Sequence, residues 1–160
     1  MTDVDVERVA PDSADAHMVL DAYFSDIVSR YHGREATRDE VEEAMAAEPS
    51  DDLCPPRGVL FVARDGGGVV GCAGLRLIEA GVGEVTRMFV MPRARRRGLG
   101  QLLLQALEDA ARGRRLTRLR LDTSSHLTEA RRLYAKHGFL RVPAFSDGRL
   151  ADEWYEKVLS

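Results

Sequence analysis

The sequence predicts an α/β fold, one sheet with helices packed on its faces. Three observations predict it. Apolar residues switch along the chain between helical spacing and strand alternation. The switches give the order β-α-α-β-β-β-α-β-α-β-β. The 160 residues, 44% of them apolar, suit a single domain over residues 1–160 with one sizeable core.

Val6 to Ala10 reads as a short first strand. Pro11-Asp12-Ser13 offers a helix start, and Leu20, Tyr23, Phe24, Ile27, Val28 and Tyr31 follow along one helical face. Thr37-Arg38-Asp39-Glu40 fits a capping box and opens a shorter helix to about Ala47. Pro55-Pro56 makes 48–57 a loop. Gly58 to Arg64 and Val69 to Glu79 form a hairpin around a four-residue loop, Asp65 to Gly68. After the turn Ala80 to Gly83, the strand Glu84 to Met91 puts Val85, Arg87, Phe89 and Met91 on one face. Glu84, Thr86, Met88 and Val90 take the other. Pro92 ends that strand, and Leu99, Leu102, Leu103, Ala106, Leu107 and Ala110 mark a helix from about Gly98 to Arg112. Leu116 to Asp122 is a strand, Thr128 to His137 a helix stopped by Gly138, and Phe139 to Pro143 and Trp154 to Val158 the last strands.

Composition excludes a disordered segment, a collagen-like repeat and a disulfide scaffold. No apolar run suggests a membrane span, and Met1 to Ala10 carries acids without a leader's apolar core. Cys54 and Cys72, far apart and outside any CxxC, are expected to be reduced in a cytoplasmic protein. His17, His32 and His137 lack metal-ligand spacing, so no metal is expected, and His126 reads as solvent-exposed. The net charge of -3 hides an asymmetry. Residues 1–58 hold 15 acids and 5 arginines, and residues 59–160 hold 11 acids and 18 basic residues. Ten arginines fall between Arg87 and Arg120, which suggests a bound polyanion. Nucleic acid fits poorly, because Phe89 is the only aromatic residue interleaved with them.

The informative stretch is Met91-Pro-Arg-Ala-Arg-Arg-Arg-Gly98-Leu-Gly100-Gln101, a turn from strand to helix. Its glycines allow close backbone approach, and the helix N-terminus and arginines favour a phosphate or pyrophosphate. It lacks the lysine of a P-loop and the third glycine of a dinucleotide fingerprint.

Arg95-Arg-Arg-Gly98-Leu-Gly100 resembles the Q/R-x-x-G-x-G/A acetyl-CoA motif of the GNAT superfamily of N-acetyltransferases. Glu84-Val-Thr-Arg87-Met-Phe-Val-Met-Pro92 is similar to the family's preceding strand, with Thr86 at a K/R position. Ala130-Arg-Arg-Leu-Tyr134-Ala-Lys-His-Gly138-Phe139 is similar to its A-x-x-L-Y-x-x-x-G-F. The resemblance implies a mixed, mostly antiparallel central sheet flanked by helices. It would be splayed between the strands before and after the cofactor-binding helix. It also implies acetyl-CoA as donor, with the backbone of Phe89, Val90 and Met91 pairing with the pantetheine arm. Backbone N–H groups of Arg96, Arg97, Gly98, Leu99, Gly100 and Gln101 would wrap the pyrophosphate, with Arg95 at the motif's first position.

In that reading Tyr134 protonates the departing thiolate, and Glu84 acts as general base through water. The chain would then move an acetyl group directly to a small or peptide amine. The alternative is a non-catalytic acyl-CoA binding or sensing module. Neither nucleic acid nor membrane is expected as a partner, and a homodimer is common in families of this kind. Leu127 stands where the most similar subgroup has a polar Gln, which puts a cofactor hydrogen bond there in doubt. The acceptor segments, 20–47 and 144–154, carry no readable motif. The acidic N-terminal part, walling the acceptor side, favours a cationic amine.

Overall fold

The computed structural model describes residues 4–148 and 150–160. Met1 to Asp3, part of the stretch read as lacking a leader, and Arg149, within 144–154, lie outside the described residues. The elements follow the expected order. They are β1 (Val4–Arg8), α1 (Ala14–His32), α2 (Arg38–Ala47), β2 (Gly58–Asp65), β3 (Gly68–Glu79) and β4 (Val82–Val90). After a short 3-10 turn at Pro92–Ala94 come α3 (Leu99–Gly113), β5 (Arg118–Thr123), α4 (Thr128–Lys136), β6 (Leu140–Val142) and β7 (Glu153–Val158).

The capping signals read from the sequence are present. Ser13 Oγ accepts from the Ala16 N–H at 3.2 Å, and Gly33 closes α1 in the left-handed region. At α2, Thr37 Oγ1 accepts from the Glu40 N–H while the Glu40 carboxylate accepts from the Thr37 N–H, a reciprocal box. The β2–β3 hairpin is tighter than expected. Asp65 pairs with Gly68, and only Gly66 and Gly67, both at positive φ, make the turn.

Seven strands form one sheet in the order β1-β2-β3-β4-β5-β7-β6. Every neighbouring pair is antiparallel except β4 and β5. That parallel seam joins only Val82, Gly83 and Glu84 to Arg118, Leu119 and Arg120. Beyond it β4 continues to Val90 and β5 to Thr123 without pairing to each other, so the sheet splays there, as the resemblance implied.

Strand alternation divides the core between two faces. Val59, Phe61 and Ala63 of β2 pack with Leu103, Leu107 and Tyr134 on the side of α3 and α4. Leu60 and Val62 pack with Val19 and Leu20 of α1 on the other side. Leu102 and Tyr31, read as core-facing, are 45% and 53% exposed, while Leu104 and Ala111 are buried instead.

The face assignment of β4 needs a correction. Val85 packs on the α3 side, whereas Phe89 and Met91 pack on the α1 side. The cause is a bulge. Gly74 pairs with Thr86 and Cys72 with Phe89, so β4 spends one extra residue over this interval. Arg87 sits within it at φ 58, and its carbonyl accepts from Cys72 Sγ at 3.1 Å. The extra residue reverses the inward and outward positions beyond Arg87.

Candidate active site

The splay opens a cleft of about 500 Å³ between the end of β4, the turn into α3 and the start of α4. Its floor at β4 is set by hydrogen-bond alternation. The Met91 N–H donates to the Val70 carbonyl at 2.8 Å, inside the sheet. Phe89, opposite Cys72, belongs to the same ladder by alternation. This corrects the expectation that three successive N–H groups face a pantetheine arm. Val90 is the position whose backbone turns to the gap, and its carbonyl accepts from Arg95 Nε at 2.9 Å.

The turn that follows is an anion cradle. Ala94 and Arg95 donate their N–H groups to Met91 and Pro92, and the first bond of α3 is Leu102 N–H to the Gly98 carbonyl at 3.2 Å. Among the described residues, no acceptor meets the N–H groups from Arg96 through Gln101. Arg96 and Gly98 adopt positive φ, 67° and 78°, which folds this run into a concave nest at a helix N-terminus. A diphosphate fits it. Gly98 supplies the left-handed turn, whereas Gly100 supplies closeness. A Cβ at Gly100 would lie 3.2 Å from Leu133 Cδ2 of α4.

The arginines divide their work. Arg95 Nη2 faces Asp26 at 3.7 Å and Glu129 at 3.5 Å, and Arg30 Nη1 closes on Glu129 at 2.8 Å. These groups tie α1, the turn and α4 together at the cleft mouth. Arg97 pairs with Asp65 on the β2–β3 hairpin, so it offers the nest its backbone alone. Arg96 is exposed and lines the cleft. Leu127 is buried and forms an apolar wall where a polar residue was considered, and His126 is exposed as read.

At its inner end the cleft meets a recess of about 60 Å³ that reaches through the gap between β4 and β5. Side chains from both faces of the sheet meet there: Tyr134 of α4, Tyr23 of α1, Glu48 at the end of α2 and Asp122 of β5. Tyr134 is 4% exposed, packs against Phe139 and Tyr155, and makes no side-chain hydrogen bond among the described residues. Burial drives its phenol pKa far above the ordinary value, with smaller contributions from Tyr23 and Asp122. Burial therefore favours the neutral phenol.

Asp122 lines the recess and is exposed to solvent. Partial desolvation by the protein around it, with the charges of Glu84 and Glu48, raises its carboxyl pKa above the ordinary Asp value. Glu84 stands at the last position of β4 that pairs with β5, where Arg76 donates to it at 2.8 Å and also binds Asp52. It lines neither the cleft nor the recess. Sequence reasoning missed Asp122 and Glu48 as site residues. Asp122 lies within the strand read from the sequence, and Glu48 in an unpatterned loop, so no local signal aimed either at the gap.

Residues 22–139 match the Acetyltransferase (GNAT) family. An IAA acetyltransferase of Azospirillum brasilense is 43% identical over 88 residues, 54% of this chain and 58% of that protein. The uncharacterized N-acetyltransferase YedL of Escherichia coli is 30% identical over 122 residues, 75% of this chain and 77% of that one. The PaiA N-acetyltransferase of Thermoplasma acidophilum, solved with coenzyme A, shares the fold with a TM-score of 0.77. It is 16% identical, and the match covers 98% of this chain and 99% of that one. A family match over that share of the chain, on a fold held in common end to end, makes this protein a member of the GNAT family, an acyl-CoA-dependent N-acetyltransferase.

Proposed function

We propose that the protein moves an acetyl group from acetyl-CoA directly to a primary amine in a ternary complex, with Tyr134 as the acid. The observation that carries this reading is Tyr134: a buried ring whose hydroxyl has no hydrogen-bond partner among the described residues and lines the recess where the two strands part. The nest from Arg96 to Gln101 binds the diphosphate, and the free backbone edge at Val90 orients the arm that carries the thioester. Leu127, Ile27 and Met88 give the cleft an apolar lining that excludes water from the thioester. Holding donor and amine together supplies much of the acceleration.

The amine nitrogen attacks the thioester carbonyl carbon; the carbon–nitrogen bond forms and the carbon–sulfur bond breaks. Tyr134 gives its proton to the leaving sulfur and regains one from solvent. The proton lost by the amine passes to a carboxylate. Glu84, through water, is the base the resemblance implies. Asp122 is the second candidate, favoured because it shares the recess with Tyr134 while Arg76 holds Glu84. Tyr134→Phe tests the reading. With acetyl-CoA and an accepted amine, kcat falls by about 10²-fold and the acetyl-CoA KM moves little. A turnover number within twofold of wild type leaves Tyr134 as packing.

A further inference from the structure

Charge around the recess is unbalanced. Near the cleft, Glu129 and Asp26 are paired with Arg30 and Arg95, and Arg76 serves both Asp52 and Glu84. Glu48 and Asp122 have no ion-pair partner among the described residues; Asp122 accepts only from the Ser146 hydroxyl, at 3.4 Å. The cation beside them, Arg87, is 4% exposed and already committed. It donates to Ser50 Oγ, Thr86 Oγ1 and the carbonyls of Glu48 and Pro49, pinning the loop after α2 to the bulge. It closes an ion pair with neither carboxylate. Among the described residues that line the recess, two carboxylates thus stand against one guanidinium, Arg87, whose hydrogen bonds to neutral groups leave its charge in place, so the space keeps a negative excess.

Tyr134 adds an independent observation. The residue is 4% exposed, and its hydroxyl, without a partner among the described residues, opens on the same recess. A polar group held there by a buried side chain and left unpaired marks a place a ligand completes. The recess is narrow, about 60 Å³, and shares Tyr23, Ile27, Met88, Leu127 and Ala130 with the wider cleft. That shape suits an unbranched chain better than an α-branched one.

From these features we infer that the acceptor is a slender diamine or polyamine. Asp122 meets the nitrogen nearest Tyr134, and Glu48 meets a second cationic nitrogen. This rests on the acetyl-transfer reading above. A neutral tail leaves Glu48 without its partner, and an anionic tail is repelled by it.

The test measures thiol release from acetyl-CoA with putrescine, n-butylamine and γ-aminobutyrate, three amines of equal chain length, and with a lysine-rich peptide. The expected order in kcat/KM is putrescine, then butylamine, then γ-aminobutyrate. Putrescine leads butylamine by about tenfold or more at low salt, and the lead shrinks as salt is added. Glu48→Gln reduces the putrescine-to-butylamine ratio toward one while circular dichroism and coenzyme A affinity keep their wild-type values. Butylamine or γ-aminobutyrate equal to putrescine, a faster peptide, or an unchanged ratio in folded Glu48→Gln overturns the inference and leaves acetyl transfer standing. Coenzyme A binding with no thiol release to any amine overturns the acetyl-transfer reading, and this inference with it.

Discussion

Tyr134 shows how one hydroxyl sets stability against function. Its phenol ring packs among Phe139 and Tyr155, but its oxygen has no partner among the described residues. Removing an oxygen that makes no hydrogen bond within the protein breaks no internal bond. Tyr134→Phe is therefore expected to hold or raise Tm while turnover collapses, and a lowered Tm would show that the oxygen is structurally engaged. Asp122 gives a second prediction. Its carboxyl pKa is raised in the folded state, so ionisation there works against folding. That penalty is absent below the ordinary Asp value and complete once the pH exceeds the raised one. Asp122→Asn should thus raise Tm at neutral pH, with the gain vanishing in acid. If Asp122 is the base, wild-type kcat/KM falls as pH drops through that same raised pKa, and Asp122→Asn abolishes this limb. If the limb disappears in Glu84→Gln instead, the proton goes to Glu84. The sequence made Tyr134 legible because its spacing to Gly138-Phe139 is local. Asp122 and Glu48 are neighbours only because β4 and β5 part and α2 ends opposite the gap, a long-range fact no spacing records.

At the scale of elements, order and boundaries were legible because caps and glycines are local devices. Ser13, the Thr37–Glu40 box, Gly33 and Gly138 each end or begin an element where they stand. The bulge in β4 was not legible, since its residues alternate as those of a regular strand do. The positive φ of Arg87 reverses the pleat, and that reversal sends Phe89 to α1 while Met88 and Val90 pack toward α3. The turn into α3 yields a prediction on its two glycines. Gly100→Val drives methyl groups toward Leu133 and into the nest, so calorimetry should detect no coenzyme A binding and Tm should drop as α3 and α4 separate. Gly98→Ala meets no neighbour and strains only φ, a cost of about 1 kcal/mol, with binding retained. Unaltered affinity in folded Gly100→Val would remove the nest as the diphosphate site.

Across the whole molecule, acidic and basic residues separate along the chain, and the ion pairs at the cleft mouth sew the two parts together. Asp26 and Arg30 of α1 reach Arg95 and Glu129 beyond the seam. Ligand binding should be visible as stability. Coenzyme A at 100-fold its Kd adds about 2.7 kcal/mol, a Tm rise of roughly 5–10 °C for a chain this size. No shift at saturating ligand would contradict binding to the folded form.

The three-residue seam between β4 and β5 has one more consequence. Strands β5, β7 and β6 hang from the rest of the sheet by those few pairs, by bonds from Thr117 and Arg118 to the Gly81 carbonyl, by the Arg120–Glu79 ion pair and by helix packing. The protein resembles a book bound at one end of its spine. On the proposed reading, an extended ligand arm laid along Val90 would take the place of the missing binding, and the substrate would lend part of the tertiary structure. Amide exchange should register that loan: the β5–β7–β6 leaf opens as a unit in the free protein and closes when coenzyme A is present.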